Sequence, residues 1–194
     1  MTSLQTIIEG CINNDSKCQQ AIYNKYYTYA YKIAFRYIYQ YERIADVVND
    51  CFVKLFLNNY LFLTIDQNNI EPQLQESIKR TIIHSLIDEL HRTNFMSAIN
   101  SFPEEIWEKP INSNHAITNV LFKELICYVK SLPPMYGVVY NMYVIDGFSH
   151  EEIANLLRIS VDTSTTNLSK AKVYLEKLIK RNRVPEHVNQ TTSK

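Results

Sequence analysis

Apolar residues in this chain recur at spacings of three and four and hardly anywhere alternate. Between residues 42 and 58, Ile44, Val47, Val48, Cys51, Phe52, Leu55 and Phe56 keep one side of a helix apolar, and further on Ile78, Ile82, Leu86 and Leu90 fall four apart. Only 3 glycines and 6 prolines punctuate the 194 residues, too few for a turn-rich sandwich, a collagen repeat or wholesale disorder. The pattern predicts an all-α protein.

At this length, a hydrophobic content of 46% fills one medium core or two small ones. The chain reads as two small helical domains joined by a linker. The first, 1–92, holds about four helices: 4–12, one from near Ser16 to Tyr39, 42–58, and 74–92 after a polar loop that runs from Asp66 to Glu71 and closes at Pro72. Nine tyrosines between Tyr23 and Tyr60 suit core and boundary packing better than a cofactor-stacking box, since no phosphate loop accompanies them. Residues 93–118 contain two prolines and no sustained period, which marks the linker; its Phe102, Ile106 and Trp107 either dock into a groove or pack on the chain's own helices. The second domain spans 119–183, and 184–194 is expected to be a disordered tail.

No apolar run approaches the roughly 18 to 20 residues that span a bilayer, and the first residues lack a basic stretch followed by an uninterrupted apolar one, so a soluble, non-secreted chain is expected. The four cysteines form no CxxC pair, so reduced thiols and a cytoplasmic location are expected. No metal or cofactor is expected. His84, Asp88 and His91, at spacings of four and three, could face one ion, but without a nucleophile or glycine-rich loop they read better as an exposed helix face, and no catalysis is expected.

The second domain carries the informative spacing. A helix from 119 is stopped by Pro133 and Pro134, a second runs through Val144, and Asp146-Gly147 turns the chain. Ser149 with Glu152 three residues on forms a capping box for the helix HEEIANLL. Arg158 and Ile159 make a tight turn, and Ser160 caps a helix to about Arg181. This is helix-turn-helix geometry. The formal net charge is +0, yet residues 158–183 hold seven basic side chains against Asp162 and Glu176, a local surplus of five. In such a motif the second helix enters the major groove. Val161, Asp162, Thr163, Ser164, Thr165, Thr166, Asn167 and Ser169 occupy its first turns, with Arg158, Lys170, Lys172 and Arg181 available to phosphates.

The segment SLPPMYGVVYNMYVIDGFSHEEIANLLRISVDTSTTNLSKAKVYLEKL resembles the fourth conserved region of sigma-70 family factors of the extracytoplasmic-function group. Residues 21–57 resemble their second region, with Asp46, Asn49, Asp50, Phe52 and Lys54 in register, and 78–92 resemble the next helix of that region. The resemblance implies a sigma factor with RNA polymerase core and promoter DNA, both double-stranded and melted, as partners. It also implies a membrane-bound anti-sigma factor, and no lipid or small-molecule substrate. It assigns core docking to Asp46, Asn49, Asp50, Phe52, Val53 and Lys54. It assigns the melted -10 element to Lys79, Arg80, His84, Asp88, His91 and Arg92, and the -35 element to Arg158, Asp162, Thr163, Ser164, Thr165, Thr166, Asn167, Ser169, Lys170 and Lys172. Departures from the family pattern fall at Ser77 (usually tryptophan), His84 (usually asparagine), Asn49 (usually glutamine) and Thr165, Thr166 and Asn167 (usually a basic or polar trio). They predict an unusual promoter preference. The alternative is a sigma-like interaction protein that binds polymerase core or a regulator without melting a promoter.

Overall fold

A computed structural model describes residues 3–38, 41–58, 60–66, 69–92 and 120–183, and every regular element among them is helical. The expected linker and tail lie outside the described residues. The described helices fall into two compact units.

The N-terminal unit begins with α1 (Leu4–Ile12), capped by Ser3, and α2 (Ser16–Tyr37). Between them Asn14 adopts a left-handed φ of 58°, and the Asp15 carboxylate accepts from the amides of Lys17 at 2.7 Å and Cys18 at 3.4 Å, satisfying two of the orphan donors of α2. A 3-10 turn, Tyr41–Arg43, leads into α3 (Ile44–Leu57), so the α-helix starts two residues later than its pattern suggested. The Arg43 guanidinium pairs with Glu89 of α5. After the short α4 (Tyr60–Leu63) comes α5 (Ile70–Arg92). This helix absorbs Glu71 and Pro72, which the sequence reading placed in a loop. Pro72 is its third residue, where the missing N–H has no helical partner to lose.

α2 packs on α3 and α5, and α1 covers α2 and α4. Ile22, Ile44, Leu55, Leu74, Ile78, Ile82 and Leu86 are fully buried between them. Along one side runs a continuous file of rings, Tyr31, Tyr27, Tyr23, Phe52, Phe56 and Phe62, with neighbouring centroids 5.0 to 6.4 Å apart. Each spacing lies in the range of favourable offset or edge contacts. These tyrosines therefore pack, as their number suggested.

The C-terminal unit holds α6 (Val120–Lys130), α7 (Pro134–Tyr140), α8 (His150–Leu157) and α9 (Val161–Arg183). α7 continues through Asn141–Ile145 as a π turn closed by a 2.9 Å bond from the Asp146 amide to the Asn141 carbonyl. The wider turn keeps Asn141 and Met142 inside and leaves Tyr143 and Val144 exposed. Gly147, at φ 79°, reverses the chain where a side chain would be strained, and Phe148 returns to the core. α9 packs across α7 and α8 and against α6, sealing Val129, Leu132, Ala171 and Leu175 under Tyr128, Tyr136, Tyr140 and Tyr174.

Candidate nucleic-acid interface

Three local devices set the recognition helix in place. The Ser149 amide donates to Glu152 Oε2 at 2.8 Å while the Glu152 amide donates to Ser149 Oγ at 3.2 Å, so the expected capping box is formed. Arg158 ends α8 in the left-handed region at φ 55°, and the Ile159 amide reaches back to the Ala154 carbonyl at 3.0 Å. Ser160 Oγ then accepts from the Thr163 amide at 3.0 Å and opens α9. At the start of α8, the Glu151 carboxyl is held below its usual range, chiefly by a bond from its own backbone amide and then by Ser149.

The predicted base-reading residues divide by burial. Asp162, Thr163, Thr165, Thr166, Ser169, Lys170 and Lys172 are exposed, as is Arg158. Ser164 and Asn167 are not: they are 0% and 8% exposed. Their expected place at the DNA is corrected by the phase of α9, which turns Ser164, Asn167, Leu168, Ala171 and Leu175 inward together. Ser164 Oγ lies 2.9 Å from His150 Nδ1, and the His150 ring stacks on Tyr143 with centroids 4.3 Å apart. The Lys170 ammonium sits over the Tyr136 ring at 5.8 Å. Arg181 is exposed near the end of the same helix.

The outward face of α3 holds Asp46, Asn49, Asp50, Val53 and Lys54, as the sequence predicted. Phe52, which the resemblance assigns to core docking, is not on this face. It is 3% exposed and sits in the file of rings, edge-on to Tyr23, because position 52 falls on the apolar side of the helix with Val48 and Leu55. Sequence reasoning passed over Leu57, which is 81% exposed and follows Val53, itself 56% exposed. The signal was available in the four-residue spacing from Val53. Asn49 Oδ1 accepts from the Tyr23 hydroxyl at 2.8 Å, fixing the amide on this face.

On α5, Arg80, His84 and Asp88 are exposed on one side and His91 is half-buried; Arg92 is described only in its backbone. Lys79 and Arg80 both bind Glu76, at 2.7 and 2.9 Å. Partial burial of Glu76 opposes its ionisation, yet the two cations outweigh it and hold the carboxyl below its usual range. Lys54 of α3 stands 3.2 Å from Ser85 Oγ and 4.0 Å from an Asp88 carboxylate oxygen, so one residue expected to dock on polymerase and one expected at DNA are neighbours. His84, Asp88 and His91 do not converge: among the described residues no group of three His, Cys, Asp or Glu side chains could hold a metal ion.

A three-helix core, an αL turn and an outward polar helix with a basic C-terminal half define a DNA-binding helix-turn-helix unit. Residues 122–175, which run from α6 through α7, α8 and the turn into α9, match the family model of Sigma-70, region 4. The C-terminal unit is thus similar to region 4 of sigma-70 family proteins, and this supports a DNA-binding role in transcription. No curated protein matches the chain in sequence. Among the described residues no helix is long and apolar enough to cross a membrane.

Proposed function

We propose that this chain is a sigma factor of the extracytoplasmic-function group, which binds RNA polymerase core and directs promoter-specific initiation. The observation that carries the reading is the region 4 match over a helix-turn-helix whose second helix presents an exposed polar face. The N-terminal unit supplies the complement. Its α3 face of Asp46, Asn49, Asp50, Val53, Lys54 and Leu57 combines acidic groups with two exposed aliphatic side chains. Such a surface suits a partner with basic and apolar groups, and core polymerase is assigned to it. The α5 side with Arg80, His84, Asp88 and His91 is assigned to melted DNA of the -10 element, with Arg92 alongside. There the Glu76 pair must open before Lys79 and Arg80 meet phosphates. α9, through Asp162, Thr163, Thr165, Thr166 and Ser169, is assigned to the -35 element. Arg158, Lys170 and Lys172 flank it at the phosphates. A membrane-bound anti-sigma factor and a cytoplasmic site of action belong to the same reading.

The engagement of Lys79 and Arg80 with Glu76 favours one second reading: a sigma-like interaction protein that binds polymerase core or a regulator without productive promoter melting. Run-off transcription with purified core polymerase and genomic fragments, at stated salt, separates the two. Transcripts that depend on the added chain establish an initiation factor. Stable association with core and no transcript establishes the second reading, and no association with core overturns the first.

A further inference from the structure

The first nine residues of the recognition helix, 161–169, lack the side chains that pair bidentately with purines. Guanine is read in the major groove mostly by Arg or Lys and adenine by Asn or Gln, each through a pair of hydrogen bonds. Residues 161–169 contain no Arg, Lys or Gln, and their one amide, Asn167, is buried in the domain. Most hydroxyls of that stretch are already engaged. Thr165 Oγ1 donates to the Val161 carbonyl at 3.0 Å, Ser169 Oγ donates to the Thr165 carbonyl at 3.0 Å, and the Thr163 and Ser160 hydroxyls share a bond of 2.8 Å. A threonine whose hydroxyl turns back on the preceding turn offers a partner its methyl group.

The exposed face of this stretch thus presents the methyl groups of Thr165 and Thr166, the Thr166 hydroxyl and the Asp162 carboxylate. Asp162, Thr165, Thr166, Ser169 and Val173 follow one another at helical spacing on the side away from the buried Ser164, Leu168, Ala171 and Leu175. Val161 adds an exposed isopropyl group at the first turn, at 41% exposure. In the major groove only thymine carries a methyl group, and a carboxylate finds its donor on the cytosine amino group.

We propose that α9 reads a pyrimidine-rich strand of duplex DNA, meeting thymine 5-methyl groups with Val161, Thr165 and Thr166 and a cytosine amino group with Asp162. The inference rests on the DNA-binding reading of the region 4 domain and names the base chemistry of that site. Thymine contact is apolar, so specificity here comes from buried methyl groups and carries little bidentate hydrogen bonding.

The test is selection from a random duplex pool by the full chain, alone and in complex with core polymerase, followed by replacement of each thymine in the enriched site by deoxyuridine. That exchange deletes the methyl and leaves base pairing intact. A pyrimidine-rich site that loses about fourfold in affinity per deleted methyl is the expected result. Thr165→Ser keeps the hydroxyl bond to Val161 and drops the methyl, so it should weaken the native site by a similar factor and erase the uracil effect at one position. Its thermal midpoint, unchanged, shows that the domain is intact. An enriched site indifferent to uracil at every thymine overturns this proposal and leaves DNA binding standing. No enrichment by the chain or by its complex overturns the sigma reading and this proposal with it.

Discussion

His150 Nδ1 and Ser164 Oγ stand 2.9 Å apart and form a polar tie between the two helices of the DNA-binding motif. Ser164 has no exposed surface, so its hydroxyl cannot exchange His150 for water. Ser164→Ala removes the bond and is expected to lower unfolding stability by about 1–2 kcal/mol, read by urea denaturation of the full chain. DNA affinity should fall only at temperatures where the variant begins to unfold. An affinity loss at full stability would instead put Ser164 at the interface.

Lys130 gives the C-terminal unit a pH dependence of definite sign. Burial pushes its ammonium down from 10.5 to about 8. The unfolded chain thus keeps this proton at pH values where the folded chain has released it. Below about pH 8 the charged lysine subtracts from stability, and that penalty is relieved as pH rises from about 8 towards 10.5. Lys130→Met should raise stability at pH 7 by about 1–3 kcal/mol and flatten the profile above pH 8, measured by denaturant midpoints across that range.

On α3, neighbouring positions should separate binding from folding. Val53→Glu with Leu57→Glu alters exposed side chains, so stability should stay within about 0.5 kcal/mol while association with core polymerase drops at least tenfold in a pull-down titration. Phe52→Ala deletes a ring from the packed file and should cost about 3–5 kcal/mol. If the double glutamate variant binds core normally, α3 is not the docking face.

Arg158 occupies a left-handed backbone position at φ 55°. Arg158→Gly relieves that conformation, and the thermal midpoint should hold or rise, with a gain of up to about 1 kcal/mol. The same change deletes a cation beside the recognition helix. Affinity for DNA should fall across all sequences, and the slope of log affinity against log salt should shrink by about 1. A slope that does not move would show that Arg158 meets no phosphate.

Much of this architecture is local and was legible for that reason. The Ser149 and Glu152 capping box, the turn at Arg158 and the Ser160 cap each depend on residues within five positions of one another, and each forms as the spacing predicts. Facing was less legible. The polar first turns of α9 carry no apolar period, so Ser164 and Asn167 read as outward until the packing of the helix turns them in, whereas Phe52 lies on the apolar stripe by its spacing and is put at the docking face only by the resemblance. Pro72 reads as a breaker until its position within the first turn is known. The π turn at Asn141–Ile145 has no signal in residue type, and the contact of Lys54 with Ser85 and Asp88 spans more than thirty residues.

The hydroxyls of Thr165 and Ser169, bonded to the carbonyls of their own helix, have a thermodynamic consequence. Such a surface holds few water molecules by strong polar bonds, and covering its methyl groups releases apolar hydration. Association with the cognate duplex should therefore carry a negative heat-capacity change that grows with each methyl covered. Calorimetry over a range of temperatures would register sequence recognition here, while salt titration registers only the flanking cations.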